Sequence, residues 1–348
     1  MSEILRFPAE WEPQAAILIA WPHAGTDWAE RLAEVEETYI ALIAAITRFQ
    51  DAWICVADDD LQTYAEARLR SARIDMGRIR FIPFDYDDTW LRDSGPIVLR
   101  DSSLGDGGGF RVLDFRFTAW GGKFEAGRDD RLVESLAAEG VFGDAPRQRI
   151  DFALEGGGIE TDGAGTLLTT WHCLHERHPQ ASREDLDAKL RDWLVQDRVL
   201  WLDHGYLEGD DTDAHIDTLA RFAPDDAIVF QACDDPTDAH YAELQAMAAQ
   251  IATLRTRDGR PYRLFLLPWA APIVDDGRRL AASYANFLIV NGAVLMPAYA
   301  DPADERAAAV LAEAFPGREI VPVPCRPLIW QNGSLHCITM QIPEGLGA

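Results

Sequence analysis

Apolar positions along the chain fall into short runs separated by turn residues, and the runs alternate between two periods. AAILIAW at 15–21 is a continuous apolar run of strand length. Behind it Leu32, Val35, Tyr39, Leu42, Ile43 and Ile46 recur at helical spacing, with Asp27 and Glu30 placed to cap that helix. AWICVA at 52–57 predicts a second strand, Leu61 to Ala72 a second helix, and IRFIPF at 79–84 a third strand. GPIVLR and FRVLDFRF read as a strand pair joined by a Gly-rich loop at 105–109. A helix over 129–139 and a strand over 149–154 follow, then a hairpin across IETDGAGTLLTT, where Asp162-Gly163 is a tight-turn pair. Ser182, with Asp185 three residues on, caps the next helix. VLWLD, IDTLARF and AIVFQA are expected strands, and 237–255 a long helix. FLIV-Asn291-Gly292-AVLM is a hairpin, Pro302 opens a helix that runs to Phe315, and EIVPVP and HCITMQI are the last expected strands.

Groups of two or three strands thus alternate with single helices about five times, which is not the simple alternation of a doubly wound sheet. The extra hairpins fit repeated ββαβ units arranged around an axis. No Pro-, Ser- or Gly-rich linker divides the sequence, so residues 1–348 are expected to form a single domain.

Composition narrows the function classes. With 348 residues, 48% hydrophobic and 26% charged, the chain has the profile of an ordinary globular protein. Asp and Glu number 58 against 32 Lys and Arg, for a formal charge of −26. Such a field repels nucleic acid and anionic membrane surfaces and attracts small cations. Five cysteines, an odd number with no Cys-x-x-Cys pair, argue against a disulfide framework. The N-terminal MSEILRFPAEWEP shows no basic segment followed by an apolar run, and no stretch has the length of a membrane span. A cytoplasmic protein without nucleic-acid or membrane partners is the expectation; the sequence leaves homo-oligomer formation open.

Several segments crowd polar residues beside Gly or Trp at the edges of expected strands. They are DDTWLRDSGP at 87–96, AWGGK at 119–123, EGGGIE at 155–160, GDDTDAHID at 209–217, SYANF at 283–287 and LHCIT at 335–339. Glu155-Gly-Gly-Gly has neither dinucleotide nor phosphate-loop spacing; it reads as a bulge or tight crossing, or as a place where backbone approaches a ligand while Glu155 faces it. Asp210, Asp211, Asp213 and Asp217 lack the central Gly and terminal Glu of a calcium loop, and neither His172-Cys173 nor His336-Cys337 has zinc spacing. No metal or organic cofactor is expected. A lone Cys in an apolar strand is usually inert, but Cys337 shares the chain with His215, which stands among aspartates at the expected start of a strand. A thiol, an imidazole and several carboxylates suit attack on a cationic carbon, because carboxylates hold a planar guanidinium bidentately and Trp90 can cap its face. His336 adjoins Cys337 but falls on the opposite face if the segment is a strand, which places it outside the chemistry.

Taken in order, these six motifs, together with FPAEWEPQAAILIAWPHAGTDW at 7–28, resemble the agmatine deiminase and bacterial peptidyl-arginine deiminase family over nearly the whole chain. The resemblance implies an α/β fold, a five-bladed pseudo-symmetric propeller of ββαβ units. It implies hydrolysis of a small cationic guanidino substrate, with Cys337 as nucleophile, His215 as general acid and base, and Asp93 and Asp217 as guanidinium clamps. Trp90, Glu155 and Asn286 would line the substrate site, and Asp211 falls where the family's amine-end carboxylate stands, which favours agmatine over arginine. Three features depart from the family pattern: Ala214 precedes His215 where Gly is usual, Arg177-His178-Pro179 replaces Arg-Asn-Pro after an unusual lead-in TTWHCLHE, and Asp211 is shorter than the expected Glu at the tail end. Competing expectations are a deiminase of peptidyl-arginine or another guanidino compound, an amidinotransferase, and a catalytically silent polyamine-binding propeller.

Overall fold

The computed structural model describes residues 5–102 and 109–347 and shows a mixed α/β fold. In chain order the first elements are β1 (Gln14–Ala20), α1 (Leu32–Ile46), β2 (Asp51–Val56), α2 (Asp59–Ser71) and β3 (Ile79–Pro83). They are followed by β4 (Ile97–Asp101), β5 (Gly109–Arg116), α3 (Leu132–Ala138) and β6 (Arg147–Ala153). Then come β7 (Ile159–Thr161), β8 (Thr166–Thr170), α4 (Trp171–Arg177), α5 (Arg183–Leu194) and β9 (Arg198–Leu202). The next group is β10 (Ala220–Ala223), β11 (Ala227–Gln231), α6 (Tyr241–Thr253) and β12 (Arg263–Leu267). The last is β13 (Leu288–Val290), β14 (Ala293–Ala298), α7 (Ala303–Ala314), β15 (Glu319–Pro324) and β16 (Met340–Pro343).

Among the described residues there are five sheets of three or four strands, each repeating one pattern, beside a two-stranded ribbon of Val274–Asp275 and Arg278–Arg279. An antiparallel pair (β4–β5, β7–β8, β10–β11 or β13–β14) is followed by helix and then by a strand parallel to the second member. The remaining sheet makes its antiparallel pair from the two ends of the chain: β16 pairs with β1, and β2 and β3 continue in parallel. Right-handed chain twist requires a helix-length crossover between parallel neighbours, which is where the 3.6-period segments lie. The ββαβ repeat expected from the sequence is therefore present.

The chain divides into two compact units, each discontinuous in sequence. One comprises Met1–Leu5, Glu12–Gly156 and Cys337–Ala348; the other comprises Arg6–Trp11 and Gly157–His336. The first holds the sheets of β1 and β4, the second the remaining three. In the first unit Val35, Tyr39, Leu42, Ile43 and Ile46 of α1 are fully buried, as their spacing predicts. In the second, Leu186, Leu190 and Leu194 present the buried face of α5, and the Ser182–Asp185 capping box closes its N-terminus.

Three local expectations are corrected. Asp27 does not cap α1; a 3₁₀ turn at Ala29–Arg31 precedes it and Arg31 occupies the cap without a side-chain bond. IDTLARF is not one strand: Ile216–Thr218 is a 3₁₀ turn and the strand begins at Ala220. HCITMQI is likewise half turn, since residues 335–338 turn and β16 starts only at Met340. In the last two cases the apolar run correctly encodes burial, but burial leaves the backbone free to turn. Most of the expected Gly-rich loop at 105–109 lies outside the described residues. Among the described residues no helix is long and apolar enough to cross a membrane. All five cysteines are buried.

Candidate active site

In the unit that carries Cys337, the chemistry-bearing residues gather around one short helix, Leu91–Ser94. It follows Trp90 and stops at Gly95, which is extended before Pro96. A Cβ on Gly95 would lie 2.3 Å from the Leu91 carbonyl oxygen, so only glycine lets the chain leave the turn there. Asp93 is 4% exposed and accepts a hydrogen bond from the Trp120 indole at 2.9 Å. Trp120 reaches it from a left-handed stretch, with φ of 49° at Ala119 and 56° at Trp120. Non-glycine residues adopt such angles at a cost of roughly 1–2 kcal/mol each, so the AWGGK segment spends conformational energy to aim that indole. Trp90 is buried against Trp28, ring centroids 5.5 Å apart, and the Trp28 indole donates to Thr89 at 2.8 Å. The Arg92 backbone N–H donates to the Cys337 carbonyl at 3.1 Å, fixing the turn that carries the thiol to the helix that carries Asp93. Cys337 is 3% exposed. Glu155 is buried, and the next residue explains the glycines: a Cβ on Gly156 would meet the Arg92 carbonyl oxygen at 2.3 Å. The tight-crossing reading of EGGG thus holds, and the crossing is against the Asp93 helix.

In the other unit His215 is fully buried and stands immediately before the 3₁₀ turn Ile216–Thr218. Its backbone is set by the acidic loop in front of it. The Asp210 carboxylate accepts from Thr212 N–H at 2.9 Å, Thr212 Oγ at 2.6 Å and Ala214 N–H at 2.8 Å, and Thr212 Oγ accepts from His215 N–H at 3.2 Å. Buried Arg177 pairs with Asp213 at 2.5 Å and donates to the Thr212 carbonyl at 2.9 Å. Asp210 and Asp213, two of the four aspartates weighed against a calcium loop, therefore serve the loop itself, with Asp213 and Ala214 at φ of 66° and 68°. Asp211 accepts from the Asn332 amide at 2.8 Å.

Asp217 is fully buried. Burial pushes its carboxyl up, but the hydrogen bond and charge of His336, with the charges of His215 and Arg221, hold it below the usual carboxylate range. His336 Nδ1 lies 2.8 Å from Asp217 Oδ2, and its Nε2 lies 2.7 Å from Glu10 Oε2. Arg221, also fully buried, donates to Glu10 at 2.8 Å, to Glu160 at 2.6 Å and to the Phe287 carbonyl at 2.8 Å, and its guanidinium lies over the Phe287 ring. Burial raises the Glu160 carboxyl to about 7 against the opposing pull of Arg221. Asn286 braces the same cluster: its amide donates to the Asp217 carbonyl at 3.3 Å and its Oδ1 accepts from His336 N–H at 2.9 Å.

The eight residues singled out in the sequence thus fall into two sets. Cys337, Asp93, Trp90 and Glu155 belong to one unit, and His215, Asp217, Asp211 and Asn286 to the other. The strand geometry that set His336 on the opposite face does not hold: residues 335–338 turn rather than alternate, and the ring contacts Asp217. Trp120, Glu10 and Arg221 were also missed. Trp120 could have been found, since AWGGK stood out as a motif; Glu10 and Arg221 carry no local signal, because their partners are distant in sequence.

The model of the Porphyromonas-type peptidyl-arginine deiminase family matches residues 6–343. An agmatine deiminase of Stutzerimonas stutzeri is 37% identical over 362 residues, covering 97% of this chain and 95% of that one. Among solved structures, a candidate arginine deiminase from Porphyromonas gingivalis is 43% identical with a TM-score of 0.89, covering 98% of this chain and 99% of that one. A cysteine-to-serine variant of C. jejuni agmatine deiminase with substrate bound is 33% identical with a TM-score of 0.88, covering 98% and 97% of the two chains. The chain belongs to the Porphyromonas-type peptidyl-arginine deiminase family.

Proposed function

We propose that the protein is an agmatine deiminase, hydrolysing the guanidinium of agmatine to N-carbamoylputrescine and ammonia on a cytoplasmic route to putrescine. The observation that carries this reading is the near full-length similarity to the agmatine deiminase of S. stutzeri, at 37% identity over 97% of this chain. The substrate-bound cysteine-to-serine variant of the C. jejuni enzyme supports a cysteine as the reacting group.

In this reading the Cys337 thiolate attacks the central guanidinium carbon, forming a C–S bond. His215 protonates one amino group of the tetrahedral adduct, ammonia leaves, and a covalent thiouronium remains. His215 then takes a proton from water as it adds to the same carbon; the C–S bond breaks as the adduct's hydroxyl proton passes to solvent, and the neutral ureido product leaves with Cys337 restored as thiolate. Asp93 and Asp217 hold the cation by charge-assisted hydrogen bonds, and Trp90, Glu155 and Asn286 complete the surroundings of the substrate. The buried, ionised state of Asp217 supports its role as a clamp. Asp211 takes the amine end. No metal or organic cofactor enters these steps. We further infer that the five sheets are blades of a five-bladed α/β propeller and that the chain acts as one deiminase domain; the repeated ββαβ pattern supports this.

The 43% identity to the P. gingivalis protein favours a second reading, deimination of arginine or peptidyl-arginine. Ammonia release measured side by side on agmatine, free arginine and a peptide ending in arginine separates them. The proposal expects kcat/KM for agmatine to exceed the others by at least ~10²-fold, since a carboxylate at the tail end attracts an amine and repels an α-carboxylate. Equal or greater turnover of the arginine peptide would replace it with the second reading.

A further inference from the structure

The cluster Glu160–Arg221–Glu10–His336–Asp217 has a feature that the roles assigned above do not use. Five buried ionisable side chains follow one another in contact, none more than 6% exposed. Their order is carboxylate, guanidinium, carboxylate, imidazole, carboxylate, at separations of 2.6, 2.8, 2.7 and 2.8 Å. A neutral imidazole has one N–H and one lone pair, so it can donate to only one of the two carboxylates that face it; the other would meet a lone pair at hydrogen-bond distance. The imidazolium donates to both, and with it the signs alternate without a break from Arg221 through Glu10 and His336 to Asp217.

We propose that His336 is a positioning residue: an imidazolium held between Glu10 and Asp217, which fixes the Asp217 carboxylate, ionised and in one orientation, for the guanidinium of the substrate. This rests on the reading of Asp217 as a guanidinium clamp. The substrate cation is then the next member of the alternating series. The ring is given no freedom to do otherwise. Its own backbone N–H is held by Asn286 Oδ1, and the Asn286 amide holds the Asp217 backbone. Glu10 is held in turn by Arg221 and by the Ile289 N–H at 2.8 Å, so the far end of the series is anchored in strand β13. The groups facing His336 are Asp217 and Glu10; Arg221 and Glu160 lie one step beyond. In the desolvated interior such a chain is strong when complete and costly when one member is removed.

The test uses the full-length enzyme and its variants His336→Gln, Glu10→Gln, Asp217→Asn and the double variant His336→Gln/Asp217→Asn, with the fold of each checked by circular dichroism and melting. Agmatine kinetics are measured alongside inhibition by N-carbamoylputrescine, whose ureido end is uncharged. His336→Gln is expected to raise KM for agmatine by at least ~10-fold while changing the inhibition constant of the neutral ureido compound less than ~3-fold, because what is lost is the hold on a charged group. Glu10→Gln should likewise raise KM for agmatine while leaving that inhibition constant within ~3-fold, and the double variant should be no worse than Asp217→Asn alone, as expected of residues acting through one another. Parent-like KM in His336→Gln, with Asp217→Asn impaired, overturns the inference and leaves the clamp reading standing. Parent-like KM in Asp217→Asn overturns the clamp reading itself. Should His336→Gln fail to fold, ¹⁵N-histidine spectra of the parent enzyme decide: the proposal requires the His336 ring to carry protons on both nitrogens at the assay pH, and a ring with one bare nitrogen overturns it.

Discussion

Gly156 shows how a single absent atom sets the geometry around Cys337. Its missing Cβ leaves room for the Arg92 carbonyl oxygen, which would otherwise lie 2.3 Å away, and for the Met340 methyl group at 3.1 Å. Gly156→Ala must push the Arg92 backbone aside, at a cost of about 1–3 kcal/mol for overpacking a buried site. The displaced segment carries Asp93 and donates to the Cys337 carbonyl, so catalysis should fall together with stability. The expected outcome is a melting temperature several degrees lower and a reduced kcat/KM; a variant with parent values in both would show that the crossing is looser than described. At this scale residue type was informative wherever chemistry is intrinsic to the side chain. A thiol, an imidazole among aspartates and a Gly-rich turn were each legible from the sequence. His336 was not, because its meaning depends on Asp217 and Glu10, which lie 119 and 326 residues away. Two residues adjacent in sequence point to opposite sides only in a strand, and this segment turns.

At the scale of elements, apolar periodicity located nearly every strand and helix, and failed where a buried run contains a turn. Ile216–Thr218 and residues 335–338 are as buried as neighbouring strands, yet both hold candidate site residues on non-repetitive backbone. Capping was read correctly where the side chain competes for backbone N–H groups. Ser182 and Asp185 exchange hydrogen bonds at the start of α5, so Ser182→Ala should lower stability by about 1 kcal/mol with turnover unchanged, which a melting curve and an activity assay can check. The 3₁₀ turn at Asp129–Arg131 makes a different prediction. Burial raises the Asp129 carboxyl from 3.8 to about 7, against the hydrogen bonds it accepts from the Asp87 and Asp88 N–H groups. A carboxyl with a folded value above its unfolded one binds extra protons in the folded state. Its contribution is therefore fully present below ~pH 4 and is lost as pH rises toward 7. Asp129→Asn, which keeps an oxygen acceptor without the charge, should flatten the fall in melting temperature between ~pH 4 and 7. An unchanged pH profile would contradict this assignment.

For the whole molecule, the repeat of strand pair, helix and parallel strand was legible because hydrophobic period changes with each element. Which strand closes the fifth sheet was not, since pairing of β16 with β1 joins the two ends of the chain and leaves no local trace. The formal charge of −26 also acts at this scale. A field of that sign draws in a dication such as agmatine, so kcat/KM should fall several-fold between ~0.05 and 0.5 M salt while kcat holds. A kcat/KM independent of salt would show that the charge serves other ends. The central claim is that Cys337 forms a covalent bond with the amidino carbon of agmatine. Intact-protein mass spectrometry on samples acid-quenched during turnover tests it most directly. The account predicts a transient species heavier than the enzyme by agmatine less ammonia, mapping to the peptide that contains Cys337 and absent from Cys337→Ala, which releases no ammonia. Ammonia release from agmatine by Cys337→Ala at the parent rate, or an adduct on any other residue, would contradict it.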